Sequence, residues 1–184
     1  MRLWLTVFFL CSTTLLFSQD KLEKESRIRS EEVPLQAQQW VEEAFGRGHR
    51  VKWYYERTSG KESYEAKFRW KRQRYSVEFS LEGALEDVEM RRKFKSIPPA
   101  LQKSLKEIEG FQLQRLQEQW SGPSVDVMEA IRTGDASAIQ VQYEVEFMGK
   151  INEEKALWEG TFSQEGALLD YRHIILRPVD NLNY

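Results

Sequence analysis

Phe79-Ser80-Leu81-Glu82-Gly83-Ala84-Leu85-Glu86-Asp87 returns as Phe162-Ser163-Gln164-Glu165-Gly166-Ala167-Leu168-Leu169-Asp170, identical at seven of nine positions. Each stretch closes one alternating run, turns on Glu-Gly and opens another run. Glycine suits the turn because it takes positive φ without steric cost. Upstream, Tyr64-Glu65-Ala66-Lys67-Phe68 matches Tyr143-Glu144-Val145-Glu146-Phe147 at the first, second and last residues, and Val33-Pro34 matches Ile97-Pro98 in kind. Three matches kept in one order point to a doubled unit.

The content of the unit follows from periodicity. After Pro34, Ala37, Trp40, Val41, Ala44 and Phe45 fall on one face of a 3.6-residue helix, which Gly46 and Gly48 end. The period then becomes two. Val51, Trp53 and Tyr55 alternate with polar neighbours, as do Tyr64 to Trp70 and Tyr75 to Phe79; a more charged strand follows from Ala84 to Met90. Ile97-Pro98 opens a second helix carrying Leu101, Ser104, Leu105 and Ile108, and Gly110 stops it. Strands over Phe111 to Trp120, Ile139 to Phe147, Ala156 to Phe162 and Leu168 to Leu176 complete the pattern. The expected fold is α+β, with two tandem helix-plus-antiparallel-sheet units of order α-β-β-β-β. The first covers residues 33–94 and the second 95–176.

The units differ in length. From the opening proline to the matched tyrosine is 30 residues in the first and 45 in the second. The extra residues fall in 121–138, where Val125 to Ile131 predicts a short helix ended by Thr133-Gly134. Such a long connection is a candidate for partner contact. Residues 1–19 have the layout of a cleavable signal peptide, with one positive charge, an apolar run and a small polar end. Cys11, the only cysteine, lies inside that run behind Leu10, so no lipoprotein signal is formed. Residues 20–32 read as a flexible charged leader and 177–184 as a polar tail. A periplasmic or secreted location follows.

Composition narrows function further. With 27 basic and 29 acidic side chains there is no positive excess suited to nucleic acid. Beyond residue 19 no apolar run is long enough to span a bilayer. His49 and His173 stand apart without clustered thiol or carboxylate ligands, so neither a metal nor a cofactor is expected. The Glu-Gly turns lack the ladder of oxygen ligands of a calcium loop. No nucleophile-elbow or phosphate-loop motif is present. The aromatic stripes read as core. Tyr54 and Trp120 fall out of phase with their apolar neighbours and become contact candidates, since Tyr and Trp are enriched at interface hot spots. The wet faces differ in charge, with Lys52, Lys67, Arg69 and Arg74 on the first sheet and Glu144 and Glu146 on the second. With Tyr54 and Trp120, these six form the expected partner-binding surface.

The helix opened by Val33-Pro34, the strand with Trp53, the Tyr64 to Phe68 strand and the Phe79 to Leu85 turn, each with its second copy, resemble the PepSY-like, β-lactamase-inhibitor-like proteins of the Gram-negative envelope. The resemblance implies periplasmic export, paired α/β units and a concave sheet able to embrace a protein. It carries no inhibitory residues over. Ser80 and Ser163 stand where an acidic residue is usual, and residues 121–138 have no counterpart. The expected function is a non-enzymatic binding or inhibitory module for an envelope protein. Two alternatives remain open. One is a cone-shaped cystatin- or NTF2-like carrier or enzyme in which Tyr143, Glu144 and His173 converge. The other is a structural envelope protein without a specific ligand.

Overall fold

The computed structural model describes residues 23–58 and 60–174. The expected signal peptide and polar tail lie outside them. Where the sequence alternates, strands form: β2 (Lys52–Thr58), β3 (Lys61–Trp70), β4 (Gln73–Phe79) and β5 (Leu85–Arg91), then β6 (Gln112–Ser121), β7 (Gln140–Ile151), β8 (Glu154–Phe162) and β9 (Leu168–His173). Helices α1 (Leu35–Phe45), α2 (Pro99–Glu107) and α3 (Ser124–Thr133) occupy the three helical stretches. A further strand, β1 (Glu23–Ile28), lies in the segment expected to be a flexible leader and pairs with β2 from Glu23↔Thr58 to Ile28↔Trp53.

The expectation of two tandem α-β-β-β-β units is incorrect. The strands form a single antiparallel sheet of nine strands in sequence order. The expected border at residues 94 and 95 falls inside that sheet, because β5 pairs with β6 through Val88↔Trp120, Glu89↔Gln119, Met90↔Glu118 and Arg91↔Gln117. The second reason is α3. It comes from the 121–138 insertion, yet Val127, Ala130 and Ile131 pack into the core beneath α1, beside Trp40, Phe79 and Val88. The Trp40 indole Nε1 donates to Ser124 Oγ at 2.6 Å and fastens the two helices together. A second cluster, built on Leu101, Leu105, Phe147, Trp158 and Phe162, lies under α2. Strand residues directly opposite each other share a face. The pairs Val88↔Trp120 and Leu116↔Val145 therefore place all three helices on one side of the sheet.

The two Glu-Gly turns dock onto helices. A Cβ on Gly83 would stand 2.8 Å from Pro34 Cβ, and one on Gly166 would collide with Ser104 Oγ; both residues have φ of +88°. Only glycine meets both demands, which accounts for its presence in each matched stretch. In both turns the serine (Ser80 or Ser163) accepts from the backbone N–H of the alanine four residues on.

The opposite face of the sheet closes inward. Nine flat strands would span ~38 Å at the usual inter-strand spacing. Instead Glu25 of β1 and Arg172 of β9 line one hollow of about 210 Å³. The register shifts at Glu78/Phe79, Leu113/Arg115 and Thr161/Phe162. Bulges of this kind bend a strand and raise its twist, and here they roll the polar face inside.

Three outcomes are expected. Thermal unfolding should show one cooperative transition, and Ile131→Ala should lower the stability of the whole molecule by about 2–4 kcal/mol through the void left under α1. Two separated transitions in calorimetry would contradict the single sheet. Gly83→Ala should cost about 1–3 kcal/mol from positive φ and the Pro34 contact, read as a drop in urea midpoint.

Candidate binding site on the polar face

Two adjoining depressions mark the polar face. The first, about 640 Å³, is a basic cleft crossing β2 to β6. Lys52, Tyr54, Lys67, Arg69 and Arg74, five of the residues expected from sequence, line it together. Arg50 and Arg91 join them. Arg50, Lys52, Arg74 and Arg91 have no carboxylate partner among the described residues, and Arg69 donates only to the Arg72 carbonyl, at 3.4 Å. Tyr54 is half-buried with Lys67 Nζ 5.0 Å from its ring centroid, a cation–π distance. Repulsion among unpaired cations so close together is relieved by an anion, so the cleft suits an acidic group.

The second depression is the acidic hollow. Glu25, Glu56 and Glu65 reach it from β1 to β3, and Glu78, Asp87, Glu89 and Glu144 from β4 to β7. Four cations answer these seven carboxylates: Lys61, Lys67, Arg115 and Arg172. Most of the acids are dry, Glu65 at 4%, Glu89 at 8% and Asp87 at 9% exposure. Several are satisfied. Lys67 Nζ lies 2.7 Å from both Glu25 Oε2 and Glu65 Oε2. Burial works against the Lys67 charge, but these two carboxylates outweigh it and hold the ammonium above its ordinary range. Gln117 donates to Glu89, and Ser76 to Glu65.

Asp87 is the exception. Its Oδ2 accepts from Gln119 Nε2 at 3.2 Å, while its buried Oδ1 has no hydrogen-bond partner. Burial, then the nearby Glu78, lifts the Asp87 carboxyl well above the usual aspartate range, against the pull of Lys61. Burial and then Glu144 lift Glu89 in the same way. The sequence showed a charged fourth strand but gave no sign that these acids would be enclosed.

The remaining expected residues separate. Glu144 lines the hollow, and Glu146 stands beside it, 3.4 Å from Arg115 Nη1. The assignment of Trp120 to the surface is incorrect: it is 7% exposed and packs in the core under α1 and α3, its Nε1 donating to Glu118 Oε1 at 2.7 Å. Arg92 Nε holds the same carboxylate at 2.8 Å. Burial, then the nearby Glu118, pushes the neighbouring Tyr143 hydroxyl up to about 12.

Tyr143, Glu144 and His173 do not converge. Tyr143 belongs to the core under α2, His173 lies 5.4 Å from the Trp158 ring, and Glu144 points into the polar hollow. Glu144, Glu146 and Glu159 do approach one another closely enough to hold a cation. Guanidinium groups already occupy them: Arg172 contacts Glu159 and lies 3.8 Å from Glu144, and Arg115 takes Glu146. A metal would have to displace both arginines.

The fold is similar to that of several solved bacterial proteins. A BLIP-like protein from Bacteroides fragilis superposes with a TM-score of 0.53 at 15% identity, over 82% of this chain and 92% of its own. A DUF2874 family protein from Bacteroides uniformis gives 0.54 at 15% identity, covering 77% and 89%. A protein from Bacteroides eggerthii, described provisionally as periplasmic, gives 0.51 at 13% identity, covering 77% and 88%. At such identities the likeness concerns the fold. No protein-family model matches the sequence, and no curated protein does.

The enclosed acids set a pH dependence. Their folded values lie above the unfolded ones, so the contribution to stability is fully present below the ordinary carboxylate range and is lost as pH rises through the folded values. Asp87→Asn should therefore stabilise the protein at pH 7 by about 1–3 kcal/mol, with the gain vanishing near pH 4. Paired urea titrations at the two pH values measure it.

Proposed function

We propose that the protein is an exported, non-enzymatic module that grips an envelope protein through the inward-curving polar face, with an acidic segment of the partner seated in the basic cleft. The observation that carries this reading is the group of cations at Arg50, Lys52, Arg69, Arg74 and Arg91 that have no carboxylate partner among the described residues and line one cleft with half-buried Tyr54. A monomer gains nothing in stability from massing unpaired cations, whereas a partner's carboxylates gain affinity and steering from them. Tyr54 adds a rigid aromatic contact to the cleft lining.

Export rests on the signal-peptide pattern of residues 1–19 and on the BLIP-like fold. No helix among the described residues is long and apolar enough to cross a membrane. The PepSY-like assignment rests on the matched helix and strand motifs. Inhibition would be the result of a partner's active site being covered by this face, and the same geometry serves simple capture.

The test is recovery from an envelope extract, followed by titration of the purified partner. Tyr54→Ala combined with Arg69→Glu should cut recovery at least tenfold, and wild-type affinity should fall steeply as salt rises. Equal recovery by wild type and the double variant would remove the cleft from the reading.

A further inference from the structure

The arginines of the basic cleft stand in a line. Arg69 of β3 is directly opposite Arg74 of β4. One residue past the pair Tyr75↔Met90, Arg74 comes level with Arg91 of β5, and Gln73 donates to the Arg91 carbonyl. Two residues past Lys52↔Lys67, Arg69 comes level with Arg50 on its other side. Arg50, Arg69, Arg74 and Arg91 therefore form one row at right angles to the strands, all exposed and all lining the cleft. Beyond Arg91 the row runs through Gln117 of β6 to Glu144 of β7, where the charge changes sign. Like charges directly opposite one another destabilise a sheet, so the row works against the stability of the free protein.

We propose that this row receives a partner helix with an acidic residue at every third or fourth position along one face, laid across the strands from Arg50 to Arg91. The row sets a spacing as well as a charge. Neighbouring strands lie ~4.8 Å apart, so its three steps span about 14 Å. Helix residues three or four apart share a face, and four such acids spread over ten residues of rise span about 15 Å. An extended segment repeats its face only every ~6.8 Å, so its four acids would span roughly 20 Å and the last would fall about one strand beyond Arg91. Each guanidinium offers a fork of donors that matches one carboxylate. A flat anionic membrane fits less well, because the row lies on the inward-curving face, whereas a helix is a convex body ~10–12 Å across. Glu144 repels any acid placed further along the row, which limits the stripe to about three helical turns.

A helix seated here rests on the cleft being the binding face, but the test does not require the partner. Three alanine-rich peptides of equal charge, each about 18 residues long so that the helix can form, are titrated at low salt into isotopically labelled full-length protein. The first carries four glutamates on one helix face at spacings of three and four residues. The second spreads the same four around the helix, and the third keeps the first pattern but breaks the helix with a central proline. The first should shift the amide signals of Arg69, Arg74 and Arg91 saturably and bind at least tenfold more tightly than the other two. Arg74→Gln, inside the row, should weaken that binding at least threefold while raising the urea midpoint of the free protein, because it relieves like-charge repulsion. A merely structural arginine would lower the midpoint. Arg69→Gln should act in the same two directions. Equal affinity for the three peptides, or no response to the first, would overturn the helix. So would saturation of the same signals by inorganic tripolyphosphate at lower concentration than the first peptide, which would make the row a polyphosphate site. Loss of selectivity among the peptides leaves the pull-down result on the cleft standing, and an unaffected pull-down removes the cleft as the partner's seat whatever the peptides do.

Discussion

The structure depends on one constraint: a nine-stranded sheet bent so far that its charged face becomes an interior. An antiparallel sheet ordinarily keeps its polar side in water. Here strands from both edges share one small hollow, so side chains placed for solvation lose it. Charge balance then becomes a structural requirement. Arg115 and Arg172 on the later strands, and Lys61 and Lys67 on the earlier ones, hold carboxylates that would otherwise repel one another at short range. Where this neutralisation is incomplete, at Asp87 and Glu89, the carboxyls respond by favouring their protonated forms.

Curvature also explains the position of the helices. A sheet rolled about its polar side presents a convex apolar surface, and three short helices cover it without meeting at a centre. They leave two clusters that touch through Val141. T-shaped contacts among Trp40, Phe45 and Phe79, and between Phe45 and Trp70, fill the first. With no cysteine among the described residues, cohesion comes from this aromatic burial and from the ladder of strand pairs.

The periodicity of the sequence made most elements legible. Eight of the nine strands and the α1 stripe follow from alternation and 3.6-residue spacing. What alternation cannot show is a change of phase. The bulge at Leu113/Arg115 puts Leu113 and Leu116 on the same apolar side, so Trp120, which looked out of step with Phe111 and Leu113, is in step with Leu116. A bulge at Glu78/Phe79 similarly slips Glu86 past the pairing of Phe79 with Leu85, and Asp87 is carried to the wet face. The cleft residues of β2 to β4 were readable because no bulge interrupts that run before Glu78. The hollow was not, because a period of two says which side of a sheet is polar and nothing about its curvature. The continuity of the sheet was hidden for a further reason, as β5 and β6 meet only after a helical detour through α2.

The strap formed by α3 governs the order in which the molecule can be completed. The chain leaves the ribosome amino end first, yet the core beneath α1 lacks Trp120, Val127 and Ile131 until residue 131 has emerged. Roughly the first two-thirds of the polypeptide must therefore be present before its earliest helix has a full set of neighbours. Contacts separated this far along a chain form late and slowly. Nascent α1 and its strands thus stay loosely held through most of synthesis, and the whole sheet tightens as a unit near the end.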